Sequence, residues 1–175
     1  MRIETDAIIP FSRQEVFAAY RDRLAELVPY LPNVRKIDVL ERTDAPPISR
    51  LLNFWHAGGE MPAPARKLLG DGKLGWHDRA VWDESGWRCD WTITPSALSE
   101  AFECSGHDRF VALAEDRCRL EISGEMRLRL ERVRGVPSMI AGPVGRSLEL
   151  FLAKQITSNL ATVSEGLTRL LGAPR

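Results

Sequence analysis

The chain has 175 residues, of which 44% are hydrophobic and 27% are charged, and Lys plus Arg equal Asp plus Glu at 24 each. This length and composition are typical of one globular domain that can bury a sizeable core. A formal net charge of zero removes the electrostatic reason to expect a nucleic-acid partner.

Seven segments along the chain have the alternation or the β-branched and aromatic composition of strands. These predicted strands are Ile3–Ile9, Asn33–Arg42, Ser49–His56, Lys73–Asp83, Trp87–Thr94, Ser99–Leu113 and Arg117–Leu130. The last segment is the clearest, because apolar side chains from Cys118 to Leu130 alternate almost without a break with charged and polar ones. Such a strand has one covered face and one solvated face, which indicates an antiparallel sheet.

Two helical regions are predicted, one after the first strand and one at the C-terminal end. Ser12 followed by Glu15 has the form of a capping box, and Pro29 and Pro32 break the following helical spacing into a short helix and a turn. Over Pro143–Leu171, apolar residues recur at steps of three and four, which predicts an amphipathic helix of about seven turns. A long helix laid across a curved antiparallel sheet encloses a cavity, so the pattern favours a container for a small apolar ligand.

One irregular insertion, AGGEMPAPARKLLGDG at residues 57–72, separates the third and fourth predicted strands. Its paired glycines are suited to act as hinges, so a lid over the mouth of a cavity is one interpretation. A long connection between strands is the simpler interpretation and is the one the sequence favours.

The cysteine count and the hydropathy pattern predict the compartment. Cys89, Cys104 and Cys118 are an odd number without the close spacing of a disulfide framework or a zinc ribbon. The N-terminus lacks the apolar run of a signal peptide, and no stretch approaches the ~18 apolar residues of a membrane span. We therefore expect reduced cysteines in a cytoplasmic protein without integral membrane association.

Aromatic residues supply the first candidates for a binding site, since all five tryptophans lie between residues 55 and 91. Flat side chains on a cavity wall bind apolar or aromatic ligands by burial and stacking, although tryptophans also fill cores. Asn53 among apolar neighbours and Gln155 on the helix are candidate polar contacts, with a solvent-facing position as the alternative for both. The predicted ligand-binding residues are Trp55, Trp76, Trp91, Asn53, Phe102, Met126, Phe151, Leu152 and Gln155.

Acid–base or metal chemistry would need several polar side chains close together in space. The spacing of the histidines along the sequence does not indicate that they meet. His56, His77, His107 and Asp90 are candidates for a general acid or base, but no HExxH, CxxC or GxSxG motif accompanies them. Surface or capping positions are the simpler interpretation of the histidines, and alternation favours solvent for Asp90. We predict no metal and no cofactor, and the catalytic residues stay unassigned.

The predicted elements follow the order strand, two short helices, six strands and long helix. In this order the chain resembles the START/SRPBCC superfamily, the helix-grip proteins that include pollen-allergen-like proteins and polyketide cyclases. The resemblance extends over the whole chain and is carried by RIETDAIIPFSRQEVFAAYRD, LVPYLPNV and GPVGRSLELFLAKQITSNLATVSEGLTRLL. It implies an α+β fold in which a curved antiparallel sheet of about seven strands wraps around the C-terminal helix. It also implies that residues 1–175 form a single START-like ligand-binding domain.

The resemblance also implies a class of function, although a shared fold does not select one function. The leading interpretation is binding or transport of a small hydrophobic molecule, of lipid, isoprenoid or polyketide size, in a cavity between the sheet and the C-terminal helix. One alternative is an enzyme like the polyketide cyclases and aromatases. A second alternative is a protein-interaction module of the co-chaperone type, with a filled core and an exposed apolar patch. The oligomeric state is left open.

Overall fold

The computed structural model describes residues 1–58, 75–96, 99–129, 150, 154, 156–159 and 162–173. Within these residues the chain forms one antiparallel sheet of seven strands. The strands are β1 (Arg2–Ile9), β2 (Val34–Ala45), β3 (Ile48–Ala57), β4 (Gly75–Asp83), β5 (Arg88–Pro95), β6 (Phe102–Ala114) and β7 (Arg117–Leu128).

The strands lie in the order β1-β7-β6-β5-β4-β3-β2. Neighbours from β2 to β7 are consecutive in the chain, and β1 pairs with β7 from Arg2 opposite Glu125 to Ile9 opposite Cys118. Register shifts interrupt the β2–β3 pairing and the end of the β6–β7 pairing. Such bulges bend a strand and increase its twist. The predicted curved antiparallel sheet is confirmed.

Two short helical segments, α1 (Arg13–Asp22) and a 3-10 helix (Leu24–Tyr30), join β1 to β2. The Ser12 hydroxyl accepts a hydrogen bond from the Glu15 N–H at 3.3 Å, and the Glu15 carboxylate accepts one from the Ser12 N–H at 3.0 Å. The capping box predicted from the sequence is therefore confirmed. It fixes the start of α1, which buries Phe17 in the core.

The C-terminal helix is present, since residues 150, 154, 156–159 and 162–172 are helical. Val163 and Leu167, four positions apart, are both fully buried, as the predicted apolar stripe requires. The predicted first turns of this helix lie outside the described residues. So does the predicted lid, apart from Ala57 and Gly58 at its start.

Most strand boundaries differ from the prediction by one to three residues, as where β2 continues to Ala45, and two of the differences lie at turns. β6 begins at Phe102, because Ser99–Ala101 form a short 3-10 turn whose last carbonyl accepts a hydrogen bond from the Arg129 N–H at 2.7 Å. β5 begins at Arg88, because Trp87 has a positive φ of 50° and belongs to the preceding turn. Both differences involve turns, where apolar composition alone does not indicate the backbone conformation.

The two faces predicted for the last strand are confirmed. Cys118, Leu120 and Ile122 on β7 are at most 2% exposed. On the outer face of the same strand, Arg119 and Glu121 form an ion pair at 3.6 Å. The inner face of the sheet is therefore the apolar one, and α1 and the C-terminal helix cover it.

Candidate ligand-binding site

A cavity of about 140 Å³ lies between the inner face of the sheet and the C-terminal helix. Inward-facing residues of β3 to β6 form one wall, and Ile156, Asn159 and Val163 of the helix form the other. Four of the five tryptophans lie on the wall, namely Trp55, Trp76, Trp82 and Trp91. An apolar cavity of about 150 Å³ in another protein takes up benzene, so this space suits a group of one aromatic ring.

The polar part of the wall is centred on Asp78 in β4. Asp78 lies opposite Asn53 of β3, and the adjacent inward pair is Trp55 with Trp76. The Asp78 carboxylate accepts hydrogen bonds from Asn53 Nδ2 at 3.1 Å and from Trp55 Nε1 at 3.4 Å. The Trp55 and Trp76 rings stack with their centroids 5.7 Å apart. We call these four residues the Asp78 corner.

The Asp78 carboxyl is a weaker acid than an exposed aspartate. Burial raises its pKa from 3.8 to about 6, because the lost solvation outweighs the two hydrogen bonds, which act in the opposite direction. Asp78 keeps part of its surface accessible, as a side chain that faces a cavity does. The corner therefore presents a carboxyl group that changes charge just below neutral pH.

A second carboxyl group, that of Asp108 in β6, also faces the cavity. Asp108 is 2% exposed, and its Oδ1 accepts a hydrogen bond from Trp91 Nε1 at 2.8 Å. Burial raises the pKa of Asp108 from 3.8 to about 7. Trp91 is thus both a wall residue and the donor that holds this buried acid.

Two glycines make room for the Trp91 ring. A Cβ atom on Gly106 of β6 would lie 2.4 Å from Trp91 Cζ2, and one on Gly124 of β7 would lie 2.6 Å from Trp91 Cη2. No other residue permits this approach, because every other side chain begins with a Cβ atom. The indole therefore lies directly against the backbone of β6, the neighbour of β5, and of β7, the next strand beyond it.

Three buried polar atoms on the wall have no hydrogen-bond partner among the described residues. They are Asn53 Oδ1, Trp82 Nε1 and Asn159 Oδ1. The three residues are 1%, 3% and 7% exposed, respectively. Folded proteins pair nearly all buried polar atoms, so these atoms mark positions where a bound molecule would complete the hydrogen bonding.

Among the wall residues that the structure describes, Arg21 is the one cationic side chain. Its guanidinium is already paired, with Asp22 at 2.9 Å and with Glu84 at 3.8 Å. Burial raises the pKa of Tyr20 and of Cys89 well above their ordinary values, so both stay neutral at pH 7. The described wall is therefore apolar, with two weak acids that have no cation beside them.

The candidates for acid–base chemistry predicted from the sequence are absent from the described wall. They are His56, His77, His107 and Asp90. Each is one position away from an inward-facing residue of its strand, so its side chain points to the opposite face. His56 Nε2 lies 2.8 Å from Asp38 Oδ2, and Asp90 pairs with Arg88 at 2.6 Å. The acidic residues on the described wall are Asp78 and Asp108 instead.

The predicted ligand-binding residues divide into three groups. Those on the cavity wall are Asn53, Trp55, Trp76, Trp91 and Phe102. Met126 is fully buried in the core and is not on the described wall. Phe151, Leu152 and Gln155 lie outside the described residues. Contact of any of these residues with a ligand stays a prediction.

Asp78, Asp108 and Asn159 lie on the wall without having been predicted. A signal for the two acids is present in the strand periodicity. Asp78 stands two positions from Trp76 and Ala80, and Asp108 stands two positions from Phe110. Residues two positions apart share a face of a strand, so this spacing indicates an acid on the apolar face.

Other kinds of site find no support within the part of the chain that the structure describes. No group of three or more His, Cys, Asp or Glu side chains is arranged to hold a metal ion there. No helix in that part has the length and apolar character needed to cross a membrane. The three cysteines are free and buried.

No model of a known protein family matches the sequence, and no curated protein sequence matches it. Solved structures do match. The Zhui aromatase/cyclase from Streptomyces sp. R1128 has a TM-score of 0.69 at 15% identity, over 99% of this chain and 96% of that chain. Norcoclaurine synthase from Thalictrum flavum, in complex with dopamine and hydroxybenzaldehyde, has a TM-score of 0.65 at 12% identity, over 100% and 89%. Ara h 8.0201 has a TM-score of 0.59 at 14% identity, over 95% and 97%.

These similarities identify the class of fold. The chain has the helix-grip fold that the sequence resemblance implied. The solved structures that share this fold include an aromatase/cyclase and norcoclaurine synthase. At these identities the likeness concerns the fold, so the function is argued from this chain's own residues.

Proposed function

We propose that this protein binds a small hydrophobic molecule in the cavity between the sheet and the C-terminal helix. The observation that carries the proposal is the cavity itself, whose described wall combines four indole rings with the unpaired oxygens of Asn53 and Asn159. Apolar burial supplies roughly 25 cal/mol per Å² of ligand surface, and the polar atoms set its orientation.

The size of the cavity narrows the range of ligands that would fit. Lipid, isoprenoid and polyketide-like molecules are the classes that the sequence resemblance implies. A volume of about 140 Å³ favours a molecule that presents a single ring, or a group of that size, to the cavity. The norcoclaurine synthase structure, which holds dopamine and hydroxybenzaldehyde, supports ligands of this size for the fold.

A substitution that fills the cavity tests the proposal. Ala80 lies on the wall between Leu51 and Trp91 of the adjacent strands and is 3% exposed. We expect Ala80→Leu to weaken binding of n-propylbenzene by about tenfold or more, because the larger side chain occupies the ligand's space. Isothermal titration calorimetry measures the affinity, and urea unfolding checks that the variant is folded.

The matched control is Ala112→Leu, which adds the same atoms at an exposed position of β6. It is expected to bind n-propylbenzene as the unmodified protein does. Equal affinity of the Ala80→Leu variant would place the ligand elsewhere, and no binding by the unmodified protein would overturn the proposal.

Acid–base catalysis on the bound molecule is a second candidate function. The observation in its favour is the Asp78 carboxyl, which faces the cavity and has a pKa of about 6. A group with a pKa near the working pH is suited to proton transfer in a site that excludes water. This candidate has the acid that a cyclase or aromatase-like enzyme would need.

Proton exchange on a simple ketone tests this second function. The Asp78 carboxylate would take a proton from the carbon beside the carbonyl group of 4-phenylbutan-2-one, and a deuteron from D2O would return to that carbon. We expect the protein to speed this exchange by about tenfold or more, as followed by NMR, and Asp78→Asn to abolish the acceleration. The exposed Asp90→Asn variant should retain it. Exchange at the buffer rate with unmodified protein would leave binding as the function.

A protein-interaction module has less support. Such a module would use an exposed apolar patch, whereas the described exposed apolar residues of the sheet are spread over β1, β2 and β6. They are Ile8, Val39, Leu40 and Leu113. The cavity is the feature that favours ligand binding over this alternative.

A further inference from the structure

Among the residues that the structure describes, the carboxyl group of the Asp78 corner has no positive partner. The two hydrogen bonds that Asp78 accepts come from neutral donors, the Asn53 amide and the Trp55 indole. Arg21, the cation on the described wall, is committed to Asp22 and Glu84. An ionised carboxylate in apolar surroundings is unfavourable unless a cation compensates its charge. The corner is therefore short of one positive charge when Asp78 is ionised.

A second, independent observation is that amide oxygens on the described wall have no hydrogen-bond donor. Asn53 Oδ1 belongs to the corner, and Asn159 Oδ1 comes from the C-terminal helix on the other wall. Asn53 is 1% exposed and Asn159 is 7% exposed, so these residues are too buried for bulk water to supply the hydrogen bonds. On the described part of the wall, the two unpaired acceptors outnumber the one unpaired donor, Trp82 Nε1. The described wall therefore offers a bound molecule more hydrogen-bond acceptors than donors.

A protonated amine meets both deficits with one group. An ammonium carries a positive charge and up to three N–H donors, and it accepts no hydrogen bond. The tryptophans add to the match, because the face of an indole ring attracts a cation. Trp55 and Trp76 stack beside Asp78, and Trp91 and Trp82 line the same space. Aromatic cages are a recurrent way to bind organic cations.

We propose that the ligand of this protein is an apolar amine, whose ammonium group binds at Asp78 and Asn53 and whose hydrocarbon or aromatic part packs against the tryptophans. This inference rests on the proposed ligand binding and specifies the class of ligand. The cavity of about 140 Å³ fits one ring with a short chain that ends in the amine.

Three probes of nearly equal shape separate the effect of charge from that of apolar burial. They are 2-phenylethylammonium, neutral n-propylbenzene and anionic 3-phenylpropanoate, titrated calorimetrically into the full chain at pH 7.5. We expect the cation to bind about tenfold or more tighter than n-propylbenzene, because one charge-assisted hydrogen bond accounts for a factor of this size. The anion should bind more weakly than either, because its carboxylate faces Asp78.

Variants of the corner test where the ammonium binds. Asp78→Asn removes the charge and keeps the shape, so we expect about a tenfold or greater loss of affinity for the cation and less than about a threefold change for n-propylbenzene. Asn53→Leu removes the second acceptor and is expected to act in the same direction. Asp90→Asn is the control, because Asp90 is an exposed aspartate on β5 that pairs with Arg88. It should leave both affinities unchanged.

The outcomes distinguish this inference from the proposed function. If n-propylbenzene binds and 2-phenylethylammonium binds no tighter, the protein is a hydrophobic binder and the amine inference is wrong. Preference for the anion, or loss of cation binding in Asp90→Asn alone, would also overturn it. If none of the three probes binds, the proposed function itself fails. The comparison of probes on the unmodified protein gives a decision even where a variant does not fold.

Discussion

Replacing Trp91 by alanine is expected to lower the free energy of unfolding by about 3–5 kcal/mol, the range for removing a large buried aromatic side chain. Trp91 is 7% exposed, and its ring lies against Gly106 and Gly124, so its removal leaves a space that no neighbouring side chain fills. The substitution also removes the donor to the Asp108 carboxyl group at 2.8 Å. Urea unfolding at pH 5 and pH 8 measures the change.

Trp91→Phe separates the two contributions of the indole. A phenyl ring keeps most of the packing but has no N–H, so we expect a smaller loss of about 1–3 kcal/mol. This loss should be larger at pH 8 than at pH 5, because Asp108 is ionised at the higher pH and then lacks its hydrogen-bond donor. Equal losses for the alanine and phenylalanine variants would show that the N–H and not the packing of the ring carries the effect, and a loss below about 1 kcal/mol for alanine would show that the indole is not a structural element of the wall.

Replacing Asp108 by asparagine is expected to stabilise the protein at alkaline pH. The folded pKa of about 7 lies above the ordinary value of 3.8, so the folded state binds more protons than the unfolded state between these values. The stability of the unmodified protein therefore falls as the pH rises from about 4 to about 7, and levels off above that. Asparagine has no proton to lose and keeps the shape of the side chain.

The advantage of Asp108→Asn over the unmodified protein should grow by about 2–3 kcal/mol between pH 5 and pH 8, because each unit of pKa shift corresponds to about 1.4 kcal/mol. Urea unfolding at pH 5, 6, 7 and 8 gives the two profiles. Asp90→Asn serves as the control, since this exposed aspartate pairs with Arg88 and should change stability by less than about 0.5 kcal/mol at each pH. Parallel profiles for Asp108→Asn and the unmodified protein would mean that Asp108 is not a buried acid.

Local patterns predicted the sheet and the helices well. Alternation over Arg117–Leu130 predicted the strand β7 and its buried face, because residues two positions apart share a face of any strand. The capping box at Ser12 and Glu15 predicted the start of α1, since both of its hydrogen bonds join residues three positions apart. The boundaries at Trp87 and Ser99 were wrong, because the backbone turns at both places and local composition does not indicate the backbone conformation there.

The candidate site was predicted less completely. Asn53 and three tryptophans were placed correctly on the predicted strands, and the structure locates them on the wall. The acids were sought among residues with apolar neighbours in sequence, which selected Asp90. Immediate neighbours of an apolar residue lie on the opposite face of a strand, and the acids on the cavity side stand two positions away instead.

The sequence by itself determined which residues form strands and helices and which side chains share a face, because these depend on local spacing. Only the tertiary structure decided that Asn53 lies opposite Asp78, that Trp91 reaches Asp108, and that a cavity separates the sheet from the helix. The same holds for the raised pKa values of Asp78 and Asp108. Their cause is loss of solvation, and the groups that exclude the water come from strands and a helix that are distant in the chain.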